Sequence, residues 1–217
     1  MRAKEKQRNT KRLLAHKPLN PPLFANSGEL TEYARSFLEI QLKNLKSYAD
    51  KAIDTQKAAD PPAFPILLYS LSVIDFLGAL YAGNASNKAD YSTQTKDYLV
   101  GVMGWDDEKA KILRALFRNK LAHLAAPAPA IQFDGKRISW QLTLSGLNHF
   151  QLYKLSTPES YPLFGPHKLE FEYRFVVSIS VLYWDIQQSV QKYLDLLEKS
   201  PDLQTKFTTA IAQIFGL

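Results

Sequence analysis

The apolar stretch at 63–82, AFPILLYSLSVIDFLGALYA, limits more than any other feature what this chain can fold into. It is about long enough to span a bilayer, so it has to be buried either in a membrane or in a protein core. Asp75 lies near its middle, where a carboxylate would cost about 2.5–3.5 kcal/mol in a bilayer. We therefore interpret the stretch as a buried core helix that ends at Gly83, and we expect no membrane partner.

A carboxylate inside such an apolar helix needs a polar partner. Three residues further along the chain are candidate partners for Asp75, namely Arg118, Asn119 and His123. A structural ion pair or a serine hydroxyl would satisfy the carboxylate equally well. The sequence therefore leaves both a functional and a structural role open for Asp75.

Helical spacing of apolar residues continues through most of the chain. It predicts further helices over about 27–58, 92–103 and 107–126, one from about Phe175, and a short one that opens at Ser200-Pro201. Alternating residues around Asp134-Gly135 predict a β-hairpin, and NHFQLYKL (148–155) adds a possible strand. KLEFEYRF (168–175) fits either a strand or the lead-in to the next helix.

These elements predict a mainly α fold, a bundle of four to six helices with a small β-hairpin insertion between helices four and five. The bundle forms a single domain over 27–217, and the insertion covers about 128–172.

Residues 1–26 are predicted to be a basic, flexible arm and linker that precedes the domain. The arm carries the whole net charge of +6, so the domain itself is electrically balanced. Two interpretations stay open: the arm binds nucleic acid or an anionic surface, or it is simply solvated. The absence of cysteine excludes thiolate chemistry and fits a cytoplasmic location, and no motif for a metal or cofactor occurs.

The six residues RNKLAH (118–123) are the most informative polar group, because they interrupt an apolar helix just before Pro127. On an ideal helix Asn119 and His123 lie on one edge of the apolar face, whereas Arg118 lies about 140° from His123. Either the two side chains serve separate purposes, or a distorted last turn or a second copy of the helix brings them together.

If the Arg118 guanidinium and the His123 imidazole lie close together, the pair is suited to cleaving RNA without a metal. Imidazole accepts or donates a proton near neutral pH, and a guanidinium binds two phosphate oxygens at once. Asn119 would orient His123 or donate to the phosphate.

RNKLAH resembles the Arg–polar–three residues–His signature of the HEPN superfamily (higher eukaryotes and prokaryotes nucleotide-binding). The resemblance covers roughly 27–125 and 172–199. It implies a homodimeric helical protein that cleaves RNA without a metal or cofactor, in a toxin–antitoxin or phage-defence system. Its partners would be RNA or a nucleotide and a cognate antitoxin or other protein.

The same resemblance assigns the site residues. It implies catalytic roles for Arg118, Asn119 and His123 and a supporting role for Asp75. The neighbouring basic residues Arg114 and Lys120 are predicted to contact nucleic acid.

Structural interpretations of these residues stay open beside the functional ones. His123 fits a histidine at the edge of the core, and Arg118 fits a surface charge near a helix C-terminus. The alternative function is a non-catalytic module that binds nucleotide, RNA or protein in the same cleft, with the arm as a tether. Trp105, Trp140 and Trp184 are interpreted as core residues rather than as platforms for stacking bases.

Overall fold

The computed structural model describes residues 23–54, 63–86, 89–118, 128–144, 146, 149–163 and 165–217. Six α-helices lie in this part of the chain: α1 (Ser27–Asp54), α2 (Ala63–Ala82), α3 (Tyr91–Gly101), α4 (Asp107–Leu113), α5 (Ile179–Lys199) and α6 (Pro201–Phe215). Helix α4 continues as a π-helix (Arg114–Arg118). The four strands are β1 (Ile131–Phe133), β2 (Lys136–Thr143), β3 (Gln151–Pro162) and β4 (Lys168–Ser178).

Helix α2 is the central element, because it packs against α1, α3, α5, α6 and the π-helix. Leu67, Ile74, Leu77 and Leu80 on this helix are almost completely buried. Among the described residues, Phe64–Ala82 is the one helix long and apolar enough to cross a membrane. Of its most apolar stretch, 61% is buried inside the fold. Such burial is that of a core helix.

Local signals place several helix ends where the sequence predicts them. Gly83 follows α2 with a φ of 74°, and the Asp106 carboxylate accepts two N–H groups from the first turn of α4. Ser200 caps α6 through the N–H of Leu203. The predicted ends near 58 and 126 lie outside the described residues.

The β region forms one mixed sheet in the order β1-β2-β4-β3. Asp134 and Gly135 have φ values of 46° and 70°, as a type I′ turn requires, and they confirm the predicted hairpin between β1 and β2. Strand β4 pairs in parallel with β2 and antiparallel with β3.

This sheet shows that the predicted fold class, a mainly α bundle with a small β-hairpin insertion, is wrong, because the chain has an α+β fold. The helix predicted from Phe175 is also misplaced, since β4 runs to Ser178 and α5 begins at Ile179. Val176 and Val177 at the end of β4 are buried on opposite faces, which removes the alternation typical of a half-exposed strand. The partner of this segment, β2, is distant in sequence, so local patterns do not reveal the pairing.

Trp140 joins the sheet to the helices. It pairs with Phe175 across the parallel strands, and Leu152 lies opposite Phe175 on the other side. The Trp140 ring lies 5.4 Å from that of Phe64 on α2 and 5.9 Å from that of Phe117 in the π-helix, measured between centroids. The sheet therefore supports the beginning of α2 and the end of the α4 segment.

Helices α2 and α3 approach each other closely at Gly78. A Cβ placed on Gly78 would lie 2.9 Å from the carbonyl oxygen of Gln94 and 3.0 Å from the Cα of Thr95. Only a residue without a side chain fits this approach without moving the backbone of α3. Gly78 therefore sets the distance between the two helices.

Replacing Gly78 with alanine is expected to lower the free energy of unfolding by about 1–3 kcal/mol, because the added methyl overpacks α2 against α3. Urea denaturation monitored by circular dichroism measures the change. Ser72→Ala, on an exposed position of the same helix, is the control and is expected to change stability by less than about 0.5 kcal/mol. Equal stability of Gly78→Ala and wild type would contradict the close approach.

Three tyrosines, Tyr81, Tyr98 and Tyr193, meet edge-to-face between α2, α3 and α5, with centroids 6.0–6.3 Å apart. The Tyr98 hydroxyl donates to Ser189 Oγ at 3.0 Å. The buried Tyr193 hydroxyl has no hydrogen-bond partner among the described residues. Burial raises the pKa of both Tyr98 and Tyr193, so both phenols stay neutral in the fold.

Removing the hydroxyl of Tyr98 and removing that of Tyr193 are expected to change stability differently. Tyr98→Phe is expected to lower the free energy of unfolding by about 1 kcal/mol, because a buried hydrogen bond is lost. Tyr193→Phe removes an unpaired buried hydroxyl and is expected to leave stability unchanged or to raise it. Urea denaturation of both variants measures the difference, and equal losses would show that the Tyr193 hydroxyl has a partner in solution.

Candidate functional site

The Asp75 carboxylate is the centre of a polar cluster enclosed by α2, α3 and the π-helix. Its Oδ1 accepts a hydrogen bond from Thr95 Oγ1 at 2.5 Å, and its Oδ2 accepts one from Arg118 Nε at 2.6 Å. The Asp75 side chain is 12% exposed and that of Arg118 is 28% exposed. The ion pair is thus partly shielded from water and within reach of the surface.

Arg118 is one of the three partners that the sequence suggests for Asp75. The ideal helical wheel, however, turns Arg118 away from the apolar face, and this geometry is wrong for the folded chain. Past Leu113 the helix widens into a π-helix, in which each N–H bonds five residues back instead of four. Side chains therefore follow a different angular spacing, and Arg118 reaches the carboxylate on α2.

Arg114 holds the π-helix against the beginning of α3. Its Nη1 donates to the carbonyl oxygens of Tyr91 at 3.1 Å and Ser92 at 2.6 Å. Burial lowers the pKa of Arg114, while the nearby Asp75 carboxylate raises it. Arg114 as a whole residue is 9% exposed, and its side chain makes a structural contact here. Its contact with nucleic acid stays a prediction.

Two guanidinium groups, those of Arg114 and Arg118, lie near the Asp75 carboxylate, and the Asp90 carboxylate also acts on Arg114. Arg118 uses Nε for Asp75, and no described residue bonds either of its Nη atoms. A guanidinium held in this way presents its outer edge to a phosphate or carboxylate, which it binds with two parallel hydrogen bonds.

Asn119, Lys120 and His123 lie outside the described residues, as does Pro127. The chain is described again from Ala128, whose N–H donates to the carbonyl oxygen of Leu116 at 2.9 Å. The carbonyl oxygen of Ala128 in turn accepts a hydrogen bond from Trp140 Nε1 at 2.9 Å. Ala128 is therefore held between the π-helix and β2.

Several members of this cluster were missed by the sequence analysis. Thr95 has no distinguishing pattern around it, since its hydroxyl becomes relevant only when α3 packs on α2. Gly78 did carry a signal, because a glycine one turn after Asp75 in an apolar helix often marks the close approach of another backbone. Among the described residues, no three histidine, aspartate or glutamate side chains are grouped to hold a metal ion.

Comparison of the chain with protein-family models, with curated proteins and with solved structures found no match.

A double-mutant cycle with Asp75→Asn and Arg118→Gln tests whether the ion pair stabilises the fold. Asp75→Asn alone is expected to lower the free energy of unfolding by about 2 kcal/mol, because it leaves the partly buried Arg118 guanidinium without its counter-charge. The coupling energy between the two changes is expected to be about 1–2 kcal/mol, measured by urea denaturation.

The matched control is the same cycle on the exposed pair Lys46–Asp50, whose side chains are more than half exposed. This pair is expected to show a much smaller coupling, because water screens it. Equal coupling in both cycles would mean that the Asp75–Arg118 contact is no stronger than a surface pair.

Proposed function

We propose that this protein is a metal-independent endoribonuclease of the HEPN type and that its site lies at the end of the α4 segment. The observation that carries the proposal is the Asp75–Arg118 pair, which fixes a guanidinium at the edge of the core immediately before Asn119 and His123. A site for phosphodiester cleavage needs such a fixed cation beside an acid–base group.

In the proposed reaction the 2′-hydroxyl of RNA attacks the adjacent phosphorus. One imidazole takes the proton of the 2′-hydroxyl as the P–O2′ bond forms, and another gives a proton to the 5′-oxygen as the P–O5′ bond breaks. The products are a 2′,3′-cyclic phosphate and a free 5′-hydroxyl. Because each chain offers a single histidine in RNKLAH, a homodimer would supply the acid and the base from two copies of His123.

Arg118 would bind the non-bridging oxygens of the phosphate, on which negative charge accumulates in the transition state. Asp75 is a positioning residue in this proposal, because it binds Nε and leaves the Nη edge for the phosphate. Asn119 would orient His123 or donate a hydrogen bond to the phosphate.

The biological setting belongs to the proposal as well. A nuclease that needs no metal and has no cysteine works in a reducing cytoplasm, where a cognate antitoxin or another partner protein would restrain it. The basic segment over 1–17 would add affinity for RNA through the release of counterions.

Cleavage of single-stranded RNA in the presence of EDTA tests the proposal. The wild-type protein is expected to produce 2′,3′-cyclic phosphate ends, and His123→Ala is expected to lower the rate by about 100-fold or more. Arg118→Lys keeps the charge but loses the two-pronged contact, and it is expected to lower the rate by about 10-fold or more. Lys111→Gln, on an exposed position of α4, is the matched control for charge and is expected to cleave at the wild-type rate.

Circular dichroism has to show that each variant is folded, so that a lost rate reports on chemistry. Equal cleavage by wild type and His123→Ala, or no cleavage by either, would refute the enzyme proposal. Binding of RNA or nucleotide without turnover would then favour the non-catalytic module, in which deleting 1–17 removes most of the salt-dependent affinity.

A further inference from the structure

A largely apolar groove lies between the first half of α1 and the end of α6, and we call it the α1–α6 groove. Its volume is about 450 Å³. Tyr33 of α1 and Ile211 of α6 line it, together with Leu23 and Phe24, which precede α1. The groove therefore lies where residues 1–22 join the fold.

Aromatic rings connect the two helices along this groove. Measured between centroids, Tyr33 lies 5.2 Å from Phe24 and 5.6 Å from Phe37. Phe215 lies 6.3 Å from Phe37, yet it is 55% exposed, and Leu217 is 64% exposed. Exposed apolar side chains grouped in this way mark a surface that another segment covers.

The charged side chains that line the groove are acidic. They are Glu29 and Glu32, and no basic side chain joins them among the described residues of the lining. Glu29 accepts the backbone N–H of Ala25 at 2.6 Å, which leaves its negative charge in place. Arg35, further along α1, pairs with Glu198 at 3.6 Å instead. A segment that fits this groove therefore combines apolar side chains with positive charge.

The chain carries such a segment immediately before the groove. Residues 11–19, KRLLAHKPL, place three leucines among three basic residues. Leu19 is four residues from Leu23, and Leu14 is nine residues from it. Nine residues span at most about 30 Å, so the leucines can reach the groove without any movement of the helices.

The covalent connection favours this segment over any separate molecule. A short tether holds the segment beside the groove at an effective concentration on the order of millimolar. Even a weak contact is then occupied for much of the time. A second copy of the chain or another partner would have to exceed that concentration to displace the segment.

We propose that residues 11–19 bind in the α1–α6 groove of their own chain. The two leucines at 13–14 cover the exposed ring of Phe215, and their basic neighbours lie against Glu29 and Glu32. The inference does not rest on RNA cleavage, because the groove and the segment both belong to this chain and their contact is measured without RNA.

Disulfide trapping in the full chain tests the proposal, since the chain has no cysteine of its own. In Ala15→Cys/Ser36→Cys, one cysteine lies beside the two leucines and the other lines the groove. Ala15→Cys/Thr205→Cys is the matched control, because Thr205 is exposed on another side of α6. At low protein concentration the first disulfide is expected to close at least about fivefold faster than the second, measured by mass spectrometry of tryptic peptides.

Substitutions added to the Ala15→Cys/Ser36→Cys pair identify the apolar contacts. Leu13→Asp/Leu14→Asp is expected to lower the rate to that of the control pair. Phe215→Ser is expected to lower it at least about threefold. Trp184→Ser, at an exposed aromatic residue of α5, is the matched control and is expected to leave the rate unchanged.

The contribution of charge is measured in the same pair. Glu29→Gln/Glu32→Gln removes both charges but keeps an acceptor for Ala25, and it is expected to lower the rate at least about twofold. Glu39→Gln, exposed on another side of α1, is the control and is expected to have no effect. Sodium chloride is expected to lower the rate of the unsubstituted pair, because salt screens exposed charges.

Three results would overturn the inference. They are equal rates for the Ser36 and Thr205 pairs, a rate that Leu13→Asp/Leu14→Asp leaves unaltered, or a disulfide that joins two chains instead of closing within one. Circular dichroism has to show that every variant is folded. Cleavage of RNA by a variant in which trapping is lost would separate this contact from the proposed nuclease site.

Discussion

The contact between the Asp75 carboxylate and its two donors is the constraint on which the arrangement of the helices depends. Helix α2 is buried on nearly every side, so its one charge has to be neutralised inside the fold. Thr95 supplies a hydroxyl from α3, and Arg118 supplies a guanidinium from the π-helix. These two bonds fix where α3 and the end of the α4 segment lie relative to α2, and Gly78 provides the room.

The sequence predicts those parts of the fold that local signals determine. An apolar run with one carboxylate predicts a core helix, Asp134-Gly135 predicts a tight hairpin, and Ser200 before a proline predicts the beginning of α6. Each of these signals lies within a few residues of the feature that it specifies. The end of α2, the beginnings of α4 and α6 and the hairpin turn therefore agree with the structure, whereas the beginning of α5 and the fold class do not.

The features that the sequence does not predict depend on contacts between distant segments. Strands β2 and β4 pair in parallel although the whole of β3 lies between them in the sequence. Val176 and Val177 are both buried, so the end of β4 lacks the alternation of apolar and polar residues that indicates a strand. The π-helix is likewise invisible to a wheel with a fixed angle of about 100° per residue. For the candidate site, the sequence supplied Asp75 and its partner Arg118, but it did not supply Thr95 or the contact of Arg114 with α3.

The π-helix also explains how one arginine can pair with a carboxylate of the core and still keep part of its side chain exposed. An arginine that pairs with a buried carboxylate through its outer edge would be fully occupied and unable to bind a phosphate. Here the wider turn brings the side chain to Asp75 through Nε, and 28% of the Arg118 side chain stays exposed. In the proposed nuclease, the guanidinium would therefore be ordered during folding rather than when the phosphate binds, which would favour a tight contact. In the proposed nuclease, a guanidinium held by Asp75 before RNA binds would set the position of the phosphate, and proton transfer by an imidazole needs a fixed separation from that phosphate.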